Sequence, residues 1–257
     1  MRGLFNCGVL FRGWTEKPDE VKNVVERLFL STGRAFNLGF TNIIVLVPKD
    51  KDCGKTVPIL LEKLFDPSFL GGGGRFAVLE PKGNADSDAL NAGIECLHEY
   101  GCKYAFTVSN KVVEHLMPGN VDKMLTAFRE GTLVTGLALR DLSIPETEDD
   151  HYQGILEGLI SNTFDAWDID ALLSVGGFDS QIGVEEIAPI IRLIKLHGLC
   201  VAPIFPTNQI GMKVSTLRVD RHKFVMTTKR TRQIEEASRA GESLGFICRG
   251  ILPEYPK

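Results

Sequence analysis

Short apolar segments alternate along the chain with longer segments whose apolar residues recur at helical spacing. The apolar and β-branched segments predict buried strands at Leu4 to Phe11, Thr41 to Val47, Phe76 to Leu79, Lys103 to Val108, Thr132 to Leu139 and 199 to 205. The intervening segments predict helices at Val21 to Ala35, Val57 to Leu64, Ala89 to Tyr100, Val121 to Arg129, Ile169 to Ser174 and Val184 to His197. Strands that alternate with helices in this way predict an α/β fold with a mostly parallel, doubly wound central sheet.

One stretch, residues 76–111, joins two of these strands through a polar loop and a helix. Its polar residues gather where the strands end, in the loop 80–88 and at 109–111. Ligands of open α/β sheets bind beyond the carboxyl ends of the strands. We therefore expect the functional site to include this stretch.

The chain has 257 residues, which suits one large domain. The alternating pattern weakens after residue 207, so we assign residues 1–222 to the α/β domain. Residues 223–257 are expected to form a C-terminal helix, from about Thr231, and a tail packed on or beside that domain. The glycine run 71–74 favours a flexible connector, because a phosphate loop requires Gly-Lys-Ser/Thr followed directly by a helix.

Composition and charge argue against several other classes of protein. The net charge of −4 and the pI near 5.8 argue against a nucleic-acid partner. The six cysteines include no C-x-x-C pair, which argues against a zinc ribbon or a redox motif. No apolar run approaches the roughly 20 residues that span a bilayer, and the first residues lack signal-peptide features. The expectation is a cytoplasmic protein without a membrane span.

Two motifs resemble those of family 2 glycosyltransferases of the GT-A fold. KGNADSDALNAGI, at 82–94, resembles the kG-x-x-x-AlNxGi element between two strands of the nucleotide-binding half. LLSVGGFDSQIGVEEIAPIIRLIKLHG, at 172–198, resembles the acceptor-side segment, where a GGF turn precedes an acidic pair at a helix start. The resemblance covers residues 4 to about 205 and implies a three-layer GT-A architecture.

The resemblance implies a nucleotide-diphospho-sugar donor and an acceptor, of unknown identity, that carries a hydroxyl group. In such enzymes an Asp-x-Asp motif holds magnesium or manganese against the diphosphate, and a carboxylate takes the acceptor proton. Here that motif falls at Ser109-Asn110-Lys111, where no carboxylate stands, so no metal ligand is assigned. These residues leave two interpretations open: a metal-independent reaction in which Lys111 stabilises the diphosphate as a point charge, and a loss of catalysis.

The remaining candidate residues come from the two motifs and from positions near them in the sequence. Glu186 matches the position of the catalytic base, and Glu185 stands beside it. Donor-binding candidates are Lys82, Asn84, Asn91, Ser109, Asn110 and Lys111. Trp167 and Asp179 are candidates for contact with the acceptor or the sugar, since an aromatic ring suits the apolar face of a sugar.

Structural alternatives stand beside these assignments. Carboxylates such as Glu185 and Glu186 are favoured in the first turn of any helix. Tryptophan is highly buried on average, so Trp167 could equally be a core residue. The chain is thus either a glycosyltransferase or a non-catalytic relative that binds a nucleotide, a sugar or a protein partner. A nucleotidyltransferase ranks third, because GGGGR precedes what the pattern predicts to be an interior strand and does not follow the first strand.

Overall fold

A computed structural model of the chain describes residues 4–13, 18–47, 74–81, 86–109, 113–137, 164–178, 187–198 and 200–204. Within these ranges the strands are β1 (Leu4–Arg12), β2 (Phe40–Leu46), β3 (Arg75–Leu79), β4 (Tyr104–Ser109), β5 (Val134–Leu137), β6 (Phe164–Asp168) and β7 (Val201–Ile204). The α-helices are α1 (Val21–Asn37), α2 (Asp86–Glu99), α3 (Pro118–Arg129), α4 (Ile169–Ser174) and α5 (Ile187–His197).

The seven strands form one sheet in the order β3-β2-β1-β4-β6-β5-β7. All neighbouring pairs are parallel except those that β6 makes with β4 and β5, which are antiparallel. Six strands therefore run in one direction and β6 runs against them. The predicted α/β class and the mostly parallel sheet are confirmed.

Two apolar layers cover the two faces of the sheet, because side chains alternate in direction along each strand. On one face, Leu10 and Ala105 pack with apolar residues of α2, α4 and α5. On the other face, Phe11 and Phe106 pack with α1 and α3. The central strands are apolar on both sides, and so their residues are buried throughout, as for Val9, Leu10 and Phe11 at 0% exposure.

A glycine of the first motif lets α2 pack close to the sheet. A Cβ atom at Gly93 would lie 3.0 Å from Cδ2 of Leu10 and 3.0 Å from Cδ2 of Leu46. These distances are shorter than ordinary van der Waals contact, so a larger residue would push α2 away from β1 and β2. The Gly in ALNAGI is therefore a packing residue.

Three sequence predictions require correction. The strand β6 was not predicted, since the two aspartates of FDAWD interrupt the apolar pattern that predicts the other strands. The helix expected from Ala89 begins at Asp86, so Asp86 and Ser87 lie inside α2 and do not precede it. The strand Arg75–Leu79 lies at the edge of the sheet and not in its interior.

Several predictions fall outside the described residues: the helix at 57–64, the first residues of the helix expected from Val184, and everything after Ile204, including the proposed C-terminal unit 223–257. Among the helices that are described, none is long and apolar enough to cross a membrane.

Three of the described cysteines lie in the core as free thiols, namely Cys7, Cys102 and Cys200. Burial raises the pKa of the Cys7 thiol from 9.0 to about 12, and it raises the pKa of Cys102 and Cys200 to about 11. Burial has this effect because the core disfavours the charged thiolate.

These raised pKa values predict a loss of folding stability in alkali. An unfolded chain releases the thiol protons near pH 9, whereas the folded chain retains them, so the stabilisation is complete below pH 9 and is lost between pH 9 and about 12. Cys7→Ala should reduce the slope of unfolding free energy against pH by about 1.4 kcal/mol per pH unit. Urea denaturation between pH 9 and 10.5 measures that slope. Equal slopes for the wild type and Cys7→Ala would refute the raised pKa of Cys7.

Candidate functional site

The carboxyl ends of the six co-directional strands lie along one edge of the sheet, which we call the carboxyl edge. Its centre is the place where the order of the strands reverses, since β2 and β3 lie on one side of β1, and β4 and all later strands lie on the other. In open α/β sheets this switch point opens a crevice in which ligands bind. The switch point between β1 and β4 is therefore the candidate site.

Arg12 and Ser109 end the two strands that flank the switch point. They are direct partners in the parallel register of β1 and β4. By alternation along each strand they share a face with Leu10 and Thr107, which is the face covered by α2, α4 and α5. Arg12 is half-buried, so a guanidinium charge is held at the centre of the carboxyl edge.

One row below this edge, a carboxylate is buried inside the sheet. Asp165 of β6 is 1% exposed and lies opposite Thr107, which is 2% exposed. The Thr107 hydroxyl donates a hydrogen bond to the Asp165 carboxylate. Charges are rarely buried without such partners, because the loss of hydration is costly. The polar pair thus lies directly beneath the candidate site.

The described carboxylates at this edge do not form a metal cradle. Glu80 follows β3, and Asp165 lies on β6, four strand positions away in the sheet, or about 19 Å at the usual spacing of strands. Among the residues that the structure describes, no group of three or more His, Cys, Asp or Glu side chains is placed to hold a metal ion. The described part of the site therefore offers no such set of ligands for a divalent metal.

Asn91 of α2 connects the two motifs that resemble the glycosyltransferase family. Its Nδ2 donates to the Phe178 carbonyl oxygen at 2.9 Å, and its Oδ1 accepts from the Phe178 amide at 2.8 Å. The side chain thus bonds the backbone of the GGF turn much as a neighbouring strand would. We expected Asn91 to contact the donor; the structure shows it engaged with this turn.

The GGF turn is also held from α5. Nη2 of Arg192 donates to the Gly177 carbonyl oxygen at 2.6 Å. Gly177 has φ +71°, and a Cβ there would lie 2.5 Å from Oδ1 of Asn91. Only glycine meets both conditions, since other residues are strained at positive φ and would overlap Asn91.

Trp167 belongs to the core and not to a sugar-binding surface. It is 0% exposed and packs edge-to-face on Phe178, with ring centroids 5.1 Å apart. Its indole nitrogen makes no hydrogen bond. A ring without an exposed face cannot stack on a ligand, so the core interpretation replaces the predicted contact.

Of the remaining predicted site residues, Ser109 lies at the switch point, as described. The others fall outside the described residues: Lys82, Asn84, Asn110, Lys111, Asp179, Glu185 and Glu186. Arg12 was not predicted, because a lone Arg after an apolar run has no motif. The strand order places the end of β1 at the switch point, and for this reason Arg12 is a candidate site residue.

Comparison with known proteins shows which fold the chain has, and it shows no relative by sequence. At the level of sequence, the chain matches no protein-family model and no curated protein. Among solved structures, it resembles a mannosyltransferase from Pyrobaculum calidifontis in complex with GDP-Man and Mn²⁺, with a TM-score of 0.58 and 10% identity. That alignment covers 91% of this chain and 64% of the mannosyltransferase.

Two further structures have similar scores. One is 4-diphosphocytidyl-2C-methyl-D-erythritol synthase from Anaerococcus prevotii, with a TM-score of 0.54, 11% identity and coverage of 87% of this chain and 99% of that one. The other is a cytidylyltransferase from Leptospira borgpetersenii, with a TM-score of 0.52, 9% identity and coverage of 96% and 99%. The chain therefore has the fold of nucleotide-diphospho-sugar transferases, which both glycosyltransferases and nucleotidyltransferases share.

The two glycines of the turn provide a matched test of the Asn91 contact. Gly176 and Gly177 both have positive φ, but a Cβ at Gly176 would have nothing within 4 Å. Gly176→Ala should cost about 1–2 kcal/mol through backbone strain alone. Gly177→Ala should cost clearly more in urea denaturation, because its Cβ also displaces Asn91. Equal losses for the two variants would contradict the observed packing.

Proposed function

We propose that this chain binds a nucleotide-diphospho-sugar at the carboxyl edge and transfers the sugar to an acceptor hydroxyl. The observation that carries the proposal is the meeting of Arg12 and Ser109 at the switch point. A guanidinium forms paired hydrogen bonds with phosphate oxygens, and a hydroxyl adds a further donor. This pair suits a diphosphate lying across the ends of β1 and β4.

In the proposed reaction, the acceptor oxygen attacks the anomeric carbon of the sugar. The bond between that carbon and the diphosphate oxygen breaks, and the diphosphate leaves with the electron pair. Arg12, together with Lys111, stabilises the negative charge that develops on the leaving group. Glu186 takes the proton of the acceptor hydroxyl as general base. Support for Glu186 comes from the sequence, in which it directly precedes α5. In that helix, Arg192 donates a hydrogen bond to the GGF turn.

Transfer of a nucleotidyl group is the second candidate. In that reaction a phosphorylated acceptor attacks the α-phosphate of a nucleoside triphosphate, and pyrophosphate leaves. The position of GGGGR argues against this reaction, yet Arg12 supplies a cation at the end of the first strand, and Gly13 follows it. One of the structural neighbours named above, the cytidylyltransferase, has this activity in its name, and the chain covers 99% of it. A non-catalytic relative that only binds a nucleotide or sugar is the third candidate.

The product distinguishes the three candidates. The protein is incubated with a panel of UDP- and GDP-linked sugars and with the four nucleoside triphosphates, each with and without manganese. Release of a nucleoside diphosphate from a sugar donor supports glycosyl transfer, and release of pyrophosphate from a triphosphate supports nucleotidyl transfer. Binding without release of either product leaves the non-catalytic candidate.

Arg12→Ala should weaken nucleotide binding by at least about tenfold, since hydrogen bonds to a charged group are lost. Isothermal titration with the tightest ligand of the panel measures this loss. Arg129→Ala is the matched control, because Arg129 is an exposed arginine at the end of α3, near the opposite edge of the sheet. Similar affinities for Arg12→Ala and Arg129→Ala would remove Arg12 from the site.

Glu186→Gln should lower kcat for sugar transfer by about 10²- to 10⁴-fold while nucleotide affinity stays within a factor of about two, because a general base acts only in the chemical step. Steady-state kinetics with the active donor provides both values. Unchanged kcat in Glu186→Gln would exclude it as the base.

A further inference from the structure

A buried hydroxyl lies in the first turn of α2. Ser87, the second residue of that helix, is 1% exposed. Within the part of the chain that the structure describes, its Oγ atom has no hydrogen-bond partner. Most buried polar groups are hydrogen-bonded, because a buried hydroxyl without a partner has lost its hydration and gained nothing in return. An exception of this kind is expected where a water molecule, an ion or a ligand supplies the missing bond.

The side chain of Ser87 faces the interior and points toward the start of the helix. At spacings of three, four and seven residues it shares one side of α2 with Leu90, Asn91 and Ile94. Leu90 and Ile94 lie in the buried core, and Asn91 bonds the GGF turn. Side chains of an α-helix lean toward its N-terminus. The Ser87 hydroxyl is therefore directed beyond these residues, to the N-terminal end of α2.

The first turn of α2 projects past the end of β1. Gly93 lies over Leu10 and Leu46, since a Cβ atom there would be 3.0 Å from a methyl carbon of each. Ser87 is six residues, or about 9 Å, closer to the carboxyl edge, because α2 follows β3 and runs back along the sheet. Arg12 is only two residues, or about 7 Å, beyond Leu10. The start of α2 therefore lies level with Arg12 or just beyond it, on the same face of the sheet.

The start of α2 has the properties of a phosphate-binding site. The first four backbone N–H groups of an α-helix have no partner within the helix, and the helix dipole is positive at that end. Phosphate oxygens accept hydrogen bonds from such N–H groups and from a hydroxyl. Arg12 adds a guanidinium at the same edge of the sheet. Asp88, the residue after Ser87, lies about 100° further around the helix, on another side of α2.

We infer that the Ser87 hydroxyl and the first turn of α2 form a phosphate subsite beside Arg12, which holds one phosphate group of a bound nucleotide. The inference rests on the nucleotide binding proposed above and names the group of the ligand that α2 holds. Arg12 and Ser109 stand at the ends of β1 and β4, below the start of this helix. A diphosphate that lies across the strand ends thus meets a second set of donors from α2.

The subsite predicts opposite effects of Ser87→Ala on stability and on binding. Without a ligand, the variant loses a buried hydroxyl that has no partner among the described residues, so its melting temperature should rise by about 2–4 °C. With a ligand, it loses a hydrogen bond to a charged group, so its affinity for phosphate should fall by about tenfold. Replacement of a serine that stabilises the fold would instead lower the melting temperature.

Ser31 of α1 provides the matched control. It is 0% exposed, and its hydroxyl donates to the Arg27 carbonyl oxygen at 2.7 Å. Ser31→Ala removes the same atoms from a buried helical position, on a helix that packs against the opposite face of the sheet. It also brings the same change in helix propensity, so the comparison isolates the bonding of the hydroxyl. Ser31→Ala should show no rise in melting temperature and no change in phosphate affinity.

Calorimetric melting of the ligand-free proteins and isothermal titration with pyrophosphate, in the presence of EDTA, provide the two measurements. Titrations with UDP and GDP, and with uridine and guanosine, separate the phosphates from the nucleoside. Ser87→Ala should lose about tenfold in affinity for pyrophosphate and for the nucleoside diphosphate that binds. Its affinity for the matching nucleoside should stay within about twofold of the wild-type value, because the nucleoside carries no phosphate.

Four results would overturn the inference. A fall in the melting temperature of ligand-free Ser87→Ala would give the hydroxyl a structural role. A wild-type protein that binds neither pyrophosphate nor either nucleoside diphosphate has no phosphate subsite. Equal affinities of the wild type and Ser87→Ala for these ligands would remove Ser87 from the subsite, and an equally large loss for the nucleoside would assign the hydroxyl to the nucleoside. A protein that binds phosphate through Ser87 but releases no product from any donor would contradict the proposed reaction alone and support the subsite.

Discussion

A reciprocal pair of hydrogen bonds between Asn91 and the backbone of Phe178 joins parts of the chain that lie 87 residues apart. It connects α2, which follows β3, with the turn that precedes α5. A glycine is required at position 177, since a Cβ there would overlap the side chain of Asn91. The carbonyl of Gly177 also accepts a hydrogen bond from Arg192. The two motifs that suggested a glycosyltransferase are thus, in this protein, the two halves of one contact.

This contact explains how much of the resemblance concerns the fold and how much concerns chemistry. Asn91, Gly93 and Gly177 are required by packing and by backbone geometry. Any protein with this sheet and these helices meets the same steric demands, whether it transfers a sugar, transfers a nucleotide or only binds one. The two motifs therefore indicate the architecture of the protein. Its chemistry depends on other residues, which can vary at the carboxyl edge without disturbing the fold.

The sequence predicted most strands and helices, because buried parallel strands and amphipathic helices carry strong periodic patterns. It did not predict β6, whose five residues include two aspartates. Asp165 is tolerated there because Thr107 of the neighbouring strand donates to it, and that pairing spans 58 residues of sequence. Contacts of this kind leave no trace in a local pattern.

The candidate site was predicted less well, and for the same reason. The predicted region stays a prediction, with Ser109 at the switch point, while Asn91 is bonded to the GGF turn and Trp167 is buried in the core. Asn91 looked like a ligand contact because a polar residue early in a helix usually faces solvent, whereas here its partner comes from a distant turn. Arg12 was missed because its importance depends on strand order, which no local pattern encodes.

The two catalytic candidates place different demands on the same edge. Both need a fixed cation near the phosphates, and the role proposed for Arg12 would serve either reaction. Transfer to a hydroxyl also requires a group that removes a proton, whereas a phosphorylated acceptor is already an anion and requires none. Glu186, which the sequence resemblance assigns to that step, is therefore the residue at which the two candidate reactions differ.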